Sequence, residues 1–139
     1  MKFSKGFTLV ELLVVVAIIG ILATVVVVSV SGVRSKSRDA RRISDIREIA
    51  DALQLYFNDQ NQFPSATDPL APSYIRGIPT DPLTGAEYAY NSASCSIPNQ
   101  QYVIRVILET SHTALNHDID DTTCTIPCDD PSKAYCISQ

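Results

Sequence analysis

The sequence has no charged residue between positions 12 and 33, and charged residues make up only 19% of the whole chain. This uncharged, largely apolar run of 22 residues is long enough to cross a bilayer as a helix, so an ordinary soluble globular protein is excluded. About a hundred residues remain outside the run, which is enough for one small domain and not for two.

The chain also lacks an excess of basic residues, with 11 Lys and Arg against 15 Asp and Glu and a net charge of -4. The imbalance is concentrated in residues 52–139, where three basic residues stand against ten acidic ones. A nucleic-acid binder needs Lys and Arg to neutralise phosphates, so the acidic outer domain argues against that class. Residues 34–51 hold six basic and four acidic residues, a net charge of +2 that favours contact with lipid headgroups or with another subunit.

Catalytic motifs are absent as well. The chain has no glycine-rich phosphate loop, no metal-binding triad and no nucleophile elbow. Its two histidines, His112 and His117, are five residues apart, rather than the four that place two ligands on one helix face. The sequence therefore predicts that the protein is not an enzyme and has no catalytic residue.

The apolar run is not a standard secretory signal. It extends from Phe7 to Val33, which is longer than the roughly 7–15 apolar residues of such signals, and no A-x-A cleavage site follows it. A single carboxylate, Glu11, stands at its start. A carboxylate near the end of a membrane helix either reaches the interface or requires a positive partner.

The residues around Glu11 carry a family resemblance. The segment from Lys5 to Ala23 reads KGFTLVELLVVVAIIGILA, and it resembles the N-terminal signature of type IV prepilins and of the pseudopilins of type II secretion. The resemblance implies that a prepilin peptidase cuts after Gly6 and methylates the new N-terminus at Phe7. It also implies that Glu11 becomes the fifth residue of the mature chain.

The physics of a cut after Gly6 agrees with this implication. The cut leaves a positive amine on Phe7, and Phe7 and Glu11 are four residues apart on one helix face. In a filament core, the amine of an incoming subunit would neutralise Glu11 of a neighbour, gaining about 4 kcal/mol at ~4 Å and a dielectric of ~20 before desolvation. Because desolvation offsets much of this gain, we expect the pair to fix axial register more than stability.

The absence of proline between Phe7 and Asn61 predicts one long helix. Its second half has apolar residues at spacings of three and four, which predict an amphipathic face packed on a domain. That stripe consists of Ile43, Ile46, Ile49, Ala50, Leu53, Tyr56 and Phe57. We therefore expect a leader at 1–6, a transmembrane and filament-core helix at 7–33, the amphipathic half of the same helix at 34–61, and an extracellular globular domain at 62–139.

The globular domain begins with a proline-rich loop over residues 61–85. Its expected anchors are Leu70, Tyr74 and Ile75. A short strand at Glu87–Tyr90 and a stronger one at Gln101–Glu109 follow, in a pattern that resembles the globular domain of major pseudopilins. The predicted fold is α+β: a long N-terminal helix packed on a small antiparallel sheet, with a disulfide-stapled C-terminal loop region.

All four cysteines lie in the last third of the chain, at Cys95, Cys124, Cys128 and Cys136. An even number beyond a membrane segment indicates two disulfides formed in an oxidising compartment. A zinc site is the alternative, because Cys124 and Cys128 have a permissible ligand spacing. Three disulfide pairings are possible, and Cys95–Cys124 with Cys128–Cys136 is weakly favoured.

The tail is also acidic. The resemblance to major pseudopilins implies calcium binding in this region, and Asp118, Asp120 and Asp121 offer hard oxygen ligands close together. The spacing does not fit an EF-hand loop. The interpretation we favour is a solvated acidic loop with no cofactor, in which disulfides replace calcium as the staple of a small core.

The sequence thus predicts the structural subunit of an extracellular helical filament, similar to a type IV major pilin, that polymerises through its N-terminal helices. The expected partners are like subunits, the prepilin peptidase and an inner-membrane assembly platform. The chain would be a single-pass inner-membrane protein before assembly and extracellular afterwards. The alternatives are a major pseudopilin of a type II secretion system and a membrane-anchored extracellular binding domain that never polymerises.

Overall fold

The computed structural model of this chain describes residues 6–119, 124–128 and 133–139, without the side chains of residues 25–31 and of His117. Helix α1 extends from Leu9 to Gln60 over 52 residues, so the predicted long helix is confirmed. The chain divides into two compact units, Met1–Arg34 and Ser35–Gln139. The expected boundaries of a leader, a membrane segment and a globular domain stay predictions.

The first unit consists of the beginning of α1 and the residues before it. The apolar side chains that the structure describes in this unit are exposed, with Phe7 at 81% and Ile21 at 67%. Over the part of the chain that the structure describes, no helical stretch combines the length and apolarity that crossing a membrane requires.

The second unit contains a three-stranded antiparallel sheet in the order β1-β2-β3. Strand β1 is Ala89–Asn91, β2 is Val103–Ile107 and β3 is Ala134–Ser138. Ala89 pairs with Arg105 across β1 and β2, and Ile104 pairs with Ile137 across β2 and β3. The sheet and the helix confirm the predicted α+β fold. Strand β2 lies within the predicted strand Gln101–Glu109, and β1 overlaps the predicted strand Glu87–Tyr90.

The amphipathic half of α1 packs on one face of this sheet. Ile46, Ile49 and Leu53 are at most 1% exposed, as the stripe predicted. Alternate residues of β2 and the residue after it, Ile104, Val106 and Leu108, join the same core. Phe63, Leu70, Ile75 and Tyr102 complete it, so the expected anchors Leu70 and Ile75 are buried.

The opposite face of β2 is covered by the disulfide region. Val103 is fully buried there among the four cysteines. These form the disulfides Cys95–Cys124 and Cys128–Cys136, which is the pairing favoured on sequence. The second disulfide ties β3 to the segment before it, so the C-terminal region is stapled as expected.

Strand β3 was not predicted from the sequence. Its first three residues, Ala134, Tyr135 and Cys136, are all buried, because the core lies on one face of the strand and the disulfides on the other. A strand buried on both faces has no apolar–polar alternation, and alternation is the signal by which short strands are identified.

Candidate processing and assembly site

A reciprocal pair of hydrogen bonds closes the start of α1. The N–H of Thr8 donates to Glu11 Oε2 at 2.9 Å, and the Thr8 hydroxyl donates to the same oxygen at 2.7 Å. In return, the N–H of Glu11 donates to Thr8 Oγ1 at 3.3 Å. This arrangement is a capping box, in which a residue at the helix N-cap and the residue three positions later satisfy each other's backbone groups.

Glu11 therefore has a polar partner inside its own chain, Thr8, that was not predicted from the sequence. The signal was present, because Thr8 and Glu11 have the T-x-x-E spacing that is typical of a capping box. Both bonds from Thr8 end on Oε2, and Oε1 has no hydrogen bond among the described residues. The cap leaves one carboxylate oxygen of Glu11 open to a cation.

Gly6 and Phe7 precede the capping box in non-helical backbone. A Cβ on Gly6 would meet nothing within 4 Å, so the packing of the described chain does not require glycine at this position. Phe7 is 81% exposed. The Gly6–Phe7 peptide bond is thus accessible. If glycine is required at position 6, the requirement comes from another protein that binds this segment.

In the second unit, five ionised side chains join α1 to the loop before β1 and to the end of β2. This group, the Arg42 cluster, consists of Arg38, Asp39, Arg42, Asp81 and Glu109. Arg42 Nε donates to Asp81 Oδ2 at 2.6 Å, and its Nη1 donates to Asp39 Oδ1 at 2.9 Å and to Glu109 Oε1 at 2.7 Å. Arg38 Nε also donates to Glu109 Oε1, at 2.7 Å.

The carboxylates of the Arg42 cluster are held by backbone groups as well. Asp39 is fully buried and accepts the N–H of Glu109 at 2.9 Å and both the N–H and the hydroxyl of Thr110, at 2.8 and 2.7 Å. Asp81 Oδ1 accepts the N–H groups of Leu83 and Thr84, each at 2.8 Å, within a tight turn. The expected headgroup or subunit contact is wrong for Arg42, whose side chain is 4% exposed and binds carboxylates of its own chain, and it stays a prediction for the other basic residues of 34–51.

These contacts lower the pKa values of the three carboxyl groups. The Arg42 guanidinium holds the pKa of Asp81 well below its usual range, against the opposing effect of burial. For Asp39, burial alone would raise the pKa, but the hydrogen bonds from Glu109, Thr110 and Arg42 outweigh burial and the pKa falls. The pKa of Glu109 is lowered chiefly by the hydrogen bond from Arg38.

Comparison with known proteins identifies the family. Residues 1–27 match the model of the prokaryotic N-terminal methylation motif. The chain is 33% identical over 105 residues to the type II secretion system core protein G of Klebsiella pneumoniae, a match that covers 63% of this chain and 74% of that protein. The chain belongs to the family of type IV pilins and type II secretion pseudopilins.

Other relatives of this pilin-family chain come from both branches. It is 35% identical over 102 residues to core protein G of Pectobacterium carotovorum, covering 61% of this chain and 65% of that protein, which is less than two thirds. It is 29% identical over 97 residues to the type IV wide pilus major component PilA4 of Thermus thermophilus, covering 70% of this chain and 74% of that protein. No solved structure matches the chain.

The acidic residues considered for calcium are only partly described in this pilin-family chain. Asp118 Oδ2 accepts the N–H of Cys136 at 3.0 Å, so its carboxylate binds a backbone group of the edge strand β3. Asp120 and Asp121 lie outside the described residues. Within residues 6–119, 124–128 and 133–139, no group of three or more His, Cys, Asp or Glu side chains could hold a metal ion. Calcium binding stays a prediction.

His112 has a local structural role in this pilin-family chain. Its Nδ1 accepts the N–H of Ala114 at 3.0 Å at the start of a short 3₁₀ turn, Thr113–His117. The ring therefore caps a turn, and its hydrogen bond is to the backbone.

Proposed function

We propose that this chain is the structural subunit of an extracellular helical filament, without catalytic activity. It is cleaved after Gly6 by a prepilin peptidase, methylated on Phe7 and polymerised through its N-terminal helices. The observation that supports the proposal is the N-terminal methylation motif over residues 1–27, which contains the accessible Gly6–Phe7 bond and the Glu11 capping box. Before assembly the subunit resides in the inner membrane, where an assembly platform takes it up.

In this account Glu11 has two roles. Its Oε2 caps α1 through Thr8, and this cap survives cleavage because both residues belong to the mature chain. Its Oε1 receives the Phe7 amine of a neighbouring subunit. The two charges gain attraction in the low-dielectric filament core but lose hydration, so the pair mainly fixes the axial register of the subunits.

Two substitutions of Glu11 separate these roles. Glu11→Gln keeps an oxygen that can accept from Thr8 and removes the charge, since Glu and Gln both serve at the third position of a capping box. Glu11→Ala removes both functions. We expect both variants to be made and cleaved, and both to incorporate poorly into filaments counted by electron microscopy. Normal incorporation of Glu11→Gln would show that the cap is sufficient and would contradict the charge pair.

A second function, the major pseudopilin of a type II secretion system, is supported by the relatives named core protein G, at 33% and 35% identity. Deletion of the encoding gene distinguishes the two. Loss of a secreted enzyme from the medium with surface filaments unchanged favours the pseudopilin, and loss of surface filaments with secretion unchanged favours the pilin. A chain that is never cleaved and never polymerises is a membrane-anchored binding domain instead.

A further inference from the structure

Strands β1 and β2 separate before their pairing reaches the end of β2. The last pair of the ladder is Ala89 with Arg105, and the same register would next place Glu87 opposite Ile107. That pair does not form, and Glu87 makes an isolated bridge with Thr80 instead. A groove of about 420 Å³ lies at this point, between the end of β2 and the loop before β1.

Ile107 turns its backbone N–H and C=O toward this groove. Along an antiparallel strand the backbone groups point alternately to one neighbour and to the other. In β2 the N–H of Tyr102 donates to Gln139, and the N–H of Leu108 donates to Lys133, the residue before β3. The even-numbered residues of β2 therefore bond toward β3, and Ile107 points the opposite way. Within the described part of the chain, neither backbone group of Ile107 has a hydrogen-bond partner.

Glu87 forms the opposite wall of the groove in the same way. The N–H of Asp81 donates to the C=O of Ala86 at 2.8 Å, so the loop is paired on its side away from β2. The next residue, Glu87, points its own N–H and C=O toward β2. These two groups and the exposed Glu87 carboxylate have no hydrogen bond or ion pair with any residue that the structure describes. Both walls thus present unpaired backbone donors and acceptors.

Two contacts with α1 hold the groove open. Arg42 Nε donates to Asp81 Oδ2 at 2.6 Å at the start of the loop, and the Tyr88 hydroxyl donates to Asp45 Oδ2 at 2.7 Å at its end. The Tyr88 side chain is buried, so the loop on either side of Glu87 is fixed to the helix and not to β2. A groove formed in advance lowers the cost of ordering the protein when a ligand binds.

The lining of the groove is apolar at its base and acidic at its rim. Tyr88, Val106 and Leu108 are buried side chains that contribute to the base. The guanidinium of Arg105 is held by the C=O of Pro127, to which its Nη1 donates at 2.9 Å. The Glu87 carboxylate is therefore the charge that is open to a ligand, and charge complementarity favours a basic side chain beside it.

We propose that this groove binds an extended, basic peptide segment of a different protein. The segment forms backbone hydrogen bonds with Ile107 and places a lysine or arginine beside Glu87. This is strand addition at a sheet edge, in which main-chain bonds give affinity and side chains give specificity. A basic partner is a better match than a second copy of the globular unit, because residues 52–139 hold three basic residues against ten acidic ones. The inference goes beyond the filament function and does not depend on it.

Peptide titration tests the groove. The isotope-labelled full chain, in a nonionic detergent, is titrated with the end-blocked hexapeptide acetyl-TVKVTV-amide and followed by the NMR resonances of its backbone amides. The matched control is acetyl-TVEVTV-amide. We expect the lysine peptide to shift the amides of Ile107 and Glu87, and to bind about two- to fivefold more tightly than the glutamate peptide. Glu87→Lys should reverse this order.

Ile107→Pro tests the backbone pairing. It removes the N–H that faces the groove and no bond of the sheet, since proline is tolerated where a strand has no neighbour on that side. We expect the affinity for the lysine peptide to fall about three- to tenfold, as for the loss of one hydrogen bond. Ile107→Val keeps the N–H and should bind like the wild type. If Ile107→Pro does not fold, the order of the two peptides in Glu87→Lys decides.

The contradicting outcomes are distinct. Amides of Ile107 and Glu87 that do not move with either peptide at about 1 mM overturn the site. Equal binding to Ile107→Pro and to the wild type overturns the backbone pairing, and equal binding of both peptides to Glu87→Lys overturns the preference for a basic partner. An Ile107 amide that shifts when the chain alone is concentrated shows a second copy in the groove, which overturns the proposed partner. Each result leaves the filament function untouched.

Discussion

Replacement of Arg42 is the sharpest perturbation of the globular unit. The Arg42 side chain is only 4% exposed and forms hydrogen bonds with three carboxylates, of Asp39, Asp81 and Glu109. Arg42→Met keeps an unbranched apolar stem and removes the guanidinium group with its charge. It leaves Asp39, which is fully buried, without its guanidinium partner, and leaves Arg38 as the remaining cation of the cluster.

The expected loss follows from the burial of these groups. Removing one partner of a buried ion pair costs about 3–5 kcal/mol, because the other charge stays in a poorly solvated place. At about 4–8 °C per kcal/mol for a domain of this size, the midpoint of thermal unfolding should fall by more than about 10 °C. The neighbouring Arg41 provides the control, since its side chain is 68% exposed and its contact with Asp45 is 3.9 Å long.

The assay is thermal unfolding of the full chain in detergent, followed by near-ultraviolet circular dichroism of its tyrosines. Arg41→Met should change the free energy of unfolding by about 1 kcal/mol or less, as is usual for exposed ion pairs. Arg42→Met should exceed that change at least threefold. If the two variants unfold at the same temperature, the Arg42 cluster does not hold the helix to the sheet, and the reasoning is refuted.

Two further predictions concern the same unit. The pKa values of Asp39, Asp81 and Glu109 are lowered by folding, so the unfolded chain binds more protons than the folded chain below about pH 5. Stability should therefore be full above that pH and fall on further acidification. Unchanged unfolding midpoints from about pH 6 to about pH 2.5 would contradict this. Replacing the Cys95–Cys124 pair by serines should cost about 3.5 kcal/mol, and replacing Cys128–Cys136 about 2.5 kcal/mol, because the first disulfide spans 29 residues and the second 8. Urea unfolding measures both losses, and a reversed order would count against the chain-entropy explanation.

The elements with one buried face could be predicted from the sequence. Ile46, Ile49 and Leu53 recur with the period of a helix because solvent lies on the other side of α1, and the structure buries all three. Strand β2 was predicted because its residues alternate in part: Ile104 and Val106 are buried, whereas Arg105 is half-buried and Ile107 is exposed. Strand β3, buried on both faces, has no such pattern in its sequence.

The Arg42 cluster could not be predicted because its members are distant along the chain. Arg42 and Asp81 are 39 residues apart, and Arg38 and Glu109 are 71 apart. The net charge of residues 34–51 does not show which basic side chains bind carboxylates. That depends on the tertiary fold, which brings distant parts of the chain together. The Glu11 cap is the opposite case: its partner is three residues away, and the local T-x-x-E spacing would have identified it.

The central claim is that the chain is cleaved between Gly6 and Phe7 and then polymerises. The most direct test is the intact mass of the subunit taken from purified filaments, together with the sequence of its N-terminal peptide. We predict a chain that begins at Phe7 and carries one methyl group on its amine. A chain that still contains residues 1–6, and that is recovered only as a single membrane-bound species, would contradict the account.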